Sequence, residues 1–274
     1  MAARSPDEGV SLAVDTHAHV SMEDFDADRE EVIRRARELR VDFVEVGFDE
    51  ESSRRSVSLA RAQGGKCAVG VHPHNAGGSL DAMQTAWRGV ASLLKPDNPE
   101  VVAIGEIGLD YARDFSPRDI QVPCFEEGLR LARTCGLPVV IHQRDAEDQV
   151  ASMVKAAALT APIIFHCFGG DAAYARKLLD LGGYLGLGGV LTYPKNSHIR
   201  EAIRGLPHDR ILLETDCPYL APQSMRGKRN EPSYVLETAR VVAGILDVEL
   251  SRLLDITTAN AARAFLGRTV WPTI

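Results

Sequence analysis

Cysteine is sparse in this 274-residue chain: there are five, Cys67, Cys124, Cys135, Cys167 and Cys217, and no two of them form a CxxC pair. An odd count without that spacing argues against a disulfide framework and against a structural zinc knuckle, so the thiols are expected to be reduced. No apolar stretch approaches the ~20 residues that a membrane-spanning helix requires. Met1 to Gly9 carries Arg4, Asp7 and Glu8 and no apolar core, so residues 1–9 read as a flexible leader rather than a secretory signal, and a cytoplasmic protein is expected. Positive charge is not in surplus either: 31 Lys and Arg stand against 38 Asp and Glu, a net charge of −7. Proteins that track a long nucleic-acid backbone usually carry a broad basic surface, so short or terminal substrates suit this chain better. The one local exception is the cluster Arg226, Lys228 and Arg229, which by itself could equally be a solvated loop.

No linker rich in Pro, Gly or Ser divides the chain, and residues 10–268 are read as one domain. Within it, apolar runs of four to six residues alternate with longer amphipathic segments. The runs expected to be strands are Ser11 to Thr16, Phe43 to Gly47, Lys66 to Val71, Val101 to Gly105, Pro138 to Ile141, Ile163 to Phe165, Tyr184 to Gly188 and Ile211 to Glu214. Helical patterns follow each of them; the first places Val32, Ile33, Ala36 and Leu39 on one stripe of a charged segment. Strict alternation predicts βα units around a parallel sheet. An open doubly wound sheet would need a glycine-rich phosphate loop after the first strand, and none is present: that run ends in Asp15-Thr16-His17-Ala18-His19. Eight units therefore predict an α/β fold of the (β/α)8 TIM-barrel kind, with an extra helix from Glu249 to Leu266 closing its bottom or flank.

Six of the eight histidines, His17, His19, His72, His74, His142 and His166, sit at the ends of these runs, as do the carboxylates Glu106 and Asp216. Residues two apart on a strand share a face, so His17 and His19 project together and can hold one ion, with Asp15 beneath them in the same column. Glu106, flanked by Gly105 and Gly108, is placed to bridge two cations with its two oxygens. His142 and His166 each offer a nitrogen to a second ion, although either alone could be a hydrogen-bonded buried imidazole. Asp216 is the rim carboxylate, able to ligate an ion and to take a proton from the attacking water. Glu214, two residues deeper, is placed to accept the second ring N–H of a ligating histidine. Active sites of parallel barrels are assembled at the C-terminal ends of several strands, and these residues all occupy that position. The reaction class implied is metal-assisted hydrolysis. No GxSxG elbow suggests a serine nucleophile, and Cys167, next to His166, is expected to face the opposite way on its strand and to pack.

The motifs Asp15-Thr-His17-Ala-His19, Gly70-Val-His72-Pro73-His74, Gly105-Glu106-Ile-Gly108-Leu-Asp110-Tyr111, Pro138-Val-Val-Ile-His142-Gln-Arg144, His166-Cys-Phe168-Gly-Gly170, Glu214-Thr-Asp216-Cys-Pro218 and Arg226-Gly-Lys-Arg-Asn230-Glu231-Pro232 resemble those of the TatD-type metal-dependent hydrolases, nearly end to end. The resemblance implies an amidohydrolase-type TIM barrel with two metals, and phosphodiester hydrolysis of the DNase or 3′ to 5′ exonuclease kind. It makes His17, His19 and Asp216 ligands of one ion, His142 and His166 ligands of the other, and Glu106 the bridge. It turns His72, His74, Arg144 and the loop holding Arg226, Lys228 and Asn230 toward substrate, where a planar guanidinium suits phosphate.

Four ring nitrogens favour Zn²⁺, Mn²⁺, Co²⁺ or Ni²⁺, while carboxylates and water at the shared edge also admit Mg²⁺. The expected partner is DNA or another phosphate-containing substrate met at a strand end, by a monomer. A competing enzyme keeps the metals but cleaves an ester or amide, such as an aminoacyl ester on tRNA or a small cyclic amide. A metal-binding scaffold without turnover is the third alternative, and it fits poorly with two rim carboxylates, since a catalytic site keeps a position open for water.

Overall fold

The computed structural model describes residues 12–113, 115–265 and 267. Its eight strands are β1 (Ala13–Ala18), β2 (Val41–Val46), β3 (Lys66–Val69), β4 (Val101–Asp110), β5 (Val139–Arg144), β6 (Ile163–Phe165), β7 (Tyr184–Leu187) and β8 (Ile211–Leu213). They pair in chain order and all in parallel. Closure of the last strand onto the first is made by three links: an Ala18–Cys217 bridge, His19 N–H donating to Cys217 O at 2.9 Å, and Asp216 N–H donating to His17 O at 2.9 Å. The result is a TIM barrel, with helices α1 (Arg29–Glu38), α2 (Glu50–Gln63), α3 (Leu80–Ala91), α4 (Arg118–Cys135), α5 (Glu147–Ala157), α6 (Ala172–Asp180), α7 (Ser197–Ile203) and α8 (Val235–Leu246) between and after the strands. Among the described residues, no helix is long and apolar enough to cross a membrane.

The expected elements are present with shifted ends. The apolar period marks where a strand starts facing the core, whereas its end depends on pairing with neighbours. Thus β4 runs five residues past Gly105, and Glu106 lies inside it rather than after it. Between Ile104 and Ile107 three steps along β4 match two along β5, a bulge that re-aims the side chain between them. Close strand approach here needs glycine: a Cβ on Gly108 would lie 1.9 Å from His142 O, and one on Gly70 would lie 2.6 Å from Gly105 C. The leader, residue 11 of the first strand and the end of the final helix at residue 266 fall outside the described residues.

The extra helix, α9 (Leu250–Ala264), closes the barrel bottom. Phe265, fully buried at its end, packs with Val14, Val44, Val102, Val140, Ile164 and Leu212, the inward-facing residues of six strands. Thr258 Oγ1 donates to Leu12 O at 2.8 Å, and Asn260 Nδ2 donates to His208 O and Ile211 O, both at 2.7 Å. Those bonds satisfy carbonyls at the strand starts, so that end of the barrel is sealed and the opposite end carries the polar rim. The larger apolar cluster lies between the strands and the helical ring.

Candidate metal centre

Side-chain alternation on β1 brings His17 and His19 to one face, their Nε2 atoms 3.2 Å apart. Asp15 stays below and works structurally. Fully buried, it accepts from Thr215 N–H at 2.8 Å, Thr215 Oγ1 at 2.5 Å and His17 N–H at 3.1 Å, tying the first strand to the segment after β8. Burial pushes its carboxyl up to about 8 in spite of those bonds.

Glu106 presents its two oxygens to two sets of imidazoles. Oε2 lies 3.4 Å from His17 Nε2 and 3.9 Å from His19 Nε2; Oε1 lies 3.0 Å from His142 Nδ1, 3.6 Å from His72 Nε2 and 3.8 Å from His166 Nε2. Asp216 Oδ1 completes the first set, 3.5 Å from His19 Nε2, 3.9 Å from His17 Nε2 and 3.7 Å from His166 Nε2. His166 stands between the sets, its ring stacked on His17 with centroids 3.6 Å apart. The distant segments named from the sequence therefore meet at one rim. His72, expected to face substrate, lines the cavity and also joins Glu106 and His142 as a third member of their donor group.

Several of the rings are held from behind. His19 Nδ1 is 2.7 Å from Val46 O, and His166 Nδ1 is 2.9 Å from Glu214 Oε1, which also accepts the Cys167 N–H at 2.6 Å. Glu214 therefore lies beside the His166 ring, at ion-pair distance from its Nδ1. Asp110 is the residue that sequence reasoning passed over: fully buried, its Oδ2 lies 3.1 Å from His142 Nε2 and 2.8 Å from His74 Nε2. Its signal was available in the spacing, because Glu106, Gly108 and Asp110 repeat at the period of one strand face.

This proximity shifts the charges of the groups. Burial would raise Glu106, yet the imidazoles of His72 and His17 and hydrogen bonds from His142 hold its carboxyl well below the ordinary range. Asp216 is likewise lowered by His166, His19 and His17 against burial, and Asp110 by His142 and His74. Burial also works against the charged form of His166, but Glu214 and Asp216 carry it up to about 10, and Asp216 and Glu106 carry His19 up to about 8. His72 and His17 are lowered, chiefly by burial. Buried carboxylates surrounded by imidazoles, with no Lys or Arg among them, are a donor set suited to divalent cations. Among the described residues, four groups have ligand atoms within 4.8 Å of one another: His17, His19 and Asp216; His17, Glu106 and His166; His72, Glu106 and His142; and His166, Cys167 and Glu214. Nδ1 of His17, buried and without a hydrogen-bond partner, fits a ring oriented by what its Nε2 holds. These residues fit a two-cation centre.

The centre opens into a cavity of about 840 Å³, whose wall includes His74, Arg113, Arg144 and His198. Of the expected substrate-facing residues, His72, His74 and Arg144 are there. Arg226, Lys228 and Asn230 are not on its wall: Arg226 lies over the Tyr193 ring at 4.5 Å, Lys228 Nζ is 3.9 Å from Met225 Sδ, and Asn230 is fully buried. The Asn230 amide donates to Thr215 O at 2.8 Å and Tyr219 O at 2.6 Å, bracing the loop that carries Asp216. Cys167 does line the cavity, against the expectation from alternation. The strand stops at Phe165, and Cys167 adopts a left-handed φ of 50°, so the two-residue period no longer applies.

Residues 14–266 match the family model described as TatD related DNase. The chain is 40% identical over 258 residues to the uncharacterized metal-dependent hydrolase YabD of Bacillus subtilis, covering 93% of this chain and 99% of that protein. It is 38% identical over 260 residues to the 3′-5′ ssDNA/RNA exonuclease TatD of Cronobacter turicensis, covering 92% and 97%. Among solved structures, the TatD homolog YJJV of Escherichia coli K12 superposes with a TM-score of 0.87 at 28% identity, covering 94% of this chain and 99% of that one. Matched along nearly its whole length in sequence and in fold, the chain belongs to the TatD related DNase family.

Proposed function

We propose that this protein is a two-cation phosphodiesterase that removes nucleotides from the 3′ end of DNA, acting as a cytoplasmic monomer. Membership of the family makes it a hydrolase. The observation that carries the finer reading is Glu106, whose two oxygens address two separate sets of imidazoles at the floor of a cavity bearing Arg113 and Arg144. His17, His19 and Asp216 would hold one ion and His142 and His166 the other, with Glu106 shared and His72 added to the second set. Bound there, a pair of divalent cations would acidify a water and stabilise the oxygens that gain charge as the ester breaks.

The chain's own residues supply the rest. Asp216, ionised and at the mouth side of the centre, takes the proton of the attacking water on its carboxylate. Glu214 and Asp110 fix the ring orientations of His166 and His142. Arg144, exposed on the cavity wall, offers a planar fork to the non-bridging phosphate oxygens, a contact that a neutral ester or amide would leave unused. Metal-reconstituted protein incubated with end-labelled single-stranded DNA tests this reading. Mononucleotides released by the intact protein and not by His142→Ala support it; no release with Mg²⁺, Mn²⁺ or Zn²⁺ overturns it in favour of another ester or an amide.

A further inference from the structure

Five large hydrophobic side chains are markedly exposed among the described residues, and three of them, Phe115 at 65%, Tyr219 at 52% and Leu220 at 38%, stand at the mouth of the same cavity. Exposed apolar side chains scattered singly need no explanation, but their concentration at the entrance of a catalytic cavity does. Phe115 follows β4 and Tyr219 follows β8. These strands are four places apart in a ring of eight, so the two rings flank the entrance from opposite sides. Neither ring is loose. Phe115 meets His74 edge to face, with centroids 4.8 Å apart and planes at 89°, and the Arg113 guanidinium lies 5.8 Å from its centre. The Tyr219 hydroxyl lies 3.8 Å from Met22 Sδ, and Asn230 holds the Tyr219 carbonyl.

We infer that Phe115 and Tyr219 are stacking platforms for the nucleobases beside the scissile phosphate, so that binding of a strand end depends on the π-faces of its terminal bases at these two rings. The inference rests on the nucleolytic reading above and extends it to what surrounds the scissile phosphate. Each base has an aromatic face, and each internucleotide phosphate has a charge. The mouth pairs aromatic rings with Arg113 and Arg144, which is the combination that a single strand satisfies and a stacked duplex does not. An apolar peptide or lipid would use the rings but leave the two guanidinium groups unmatched. Stacking also reads no sequence, so the platforms accept all four bases.

The test is a pair of fluorescein-labelled ten-nucleotide single strands, one with ordinary 3′-terminal bases and one whose last three sugars are abasic, titrated by anisotropy against the holoenzyme in Ca²⁺ and assayed for turnover in Mn²⁺. The intact protein should bind the ordinary strand roughly tenfold or more tightly than the abasic one. Phe115→Ala and Tyr219→Ala should each shrink that preference, the double variant should abolish it, and Phe115→Trp and Tyr219→Phe should keep it. Both positions are exposed, and unchanged thermal midpoints exclude unfolding as the cause. If the intact protein binds both strands equally, or the alanine variants weaken both by the same factor, the platforms are wrong, while continued turnover leaves the nuclease reading standing. Absence of both binding and turnover sinks the two together.

Discussion

A buried carboxylate among imidazoles can serve as a ligand, a proton acceptor or a brace, and the surroundings decide which. Asp216 touches three ring nitrogens from the rim and is held ionised, so Asp216→Asn should cut kcat on single-stranded DNA by roughly 10²- to 10⁴-fold while circular dichroism remains that of the intact protein. Glu214 has a different part, since it contacts His166 from below and stays clear of the cavity. Glu214→Gln should weaken cation affinity by roughly 10- to 100-fold in a chelator competition, with activity restored by excess metal. Restoration would not occur if Glu214 moved a proton in the reaction. Asn230 shows where a motif resemblance misleads: the resemblance turns it toward substrate, yet its amide is consumed by two backbone carbonyls.

Among the elements, the bulged β4 and the terminal helix matter most. The register change next to Glu106 depends on glycine on both sides, and Gly108 passes so near β5 that any side chain must displace the strand bearing His142. Gly108→Ala should therefore lose metal content, measured by elemental analysis of purified protein, as well as stability; full metal occupancy in that variant would contradict the proposed role of the close approach. α9 contributes through burial. Removing most of the Phe265 ring from beneath six strands should lower stability by about 3–5 kcal/mol, read as a fall in the midpoint of thermal or urea unfolding. A change of under about 1 kcal/mol would mean that the helix docks elsewhere in solution. Both elements were visible in outline from their patterns. Their ends were not, because β4 continues by pairing with β5 after its apolar run has finished, and pairing is a property of the neighbour.

For the molecule as a whole, net charge −7 and a cavity with two arginines on its wall predict shallow salt dependence. With about two phosphates neutralised, the slope of log affinity for a single strand against log salt should be roughly −1 to −2. A slope of −4 or steeper would require a backbone track outside the cavity, with the Arg226 to Arg229 loop as the obvious place. That loop is engaged otherwise: Arg229 contacts Asp28 at 2.7 Å and Asp24 O at 2.6 Å, bonds that pin the segment to the connection between β1 and α1.

The order of apolar runs and amphipathic stretches was enough to establish eight βα units, a closed parallel sheet and a rim where His17, His19, Glu106, His142, His166 and Asp216 assemble, because alternation along a strand and stripes along a helix are local properties of a chain. Only the tertiary structure decided that His72 stands with Glu106 and His142, that Asp110 braces two rings, that Cys167 turns into the cavity and that Asn230 turns out of it. Those outcomes depend on which strand ends become neighbours when the barrel closes and on backbone angles in loops, where no two- or 3.6-residue period constrains the direction of a side chain.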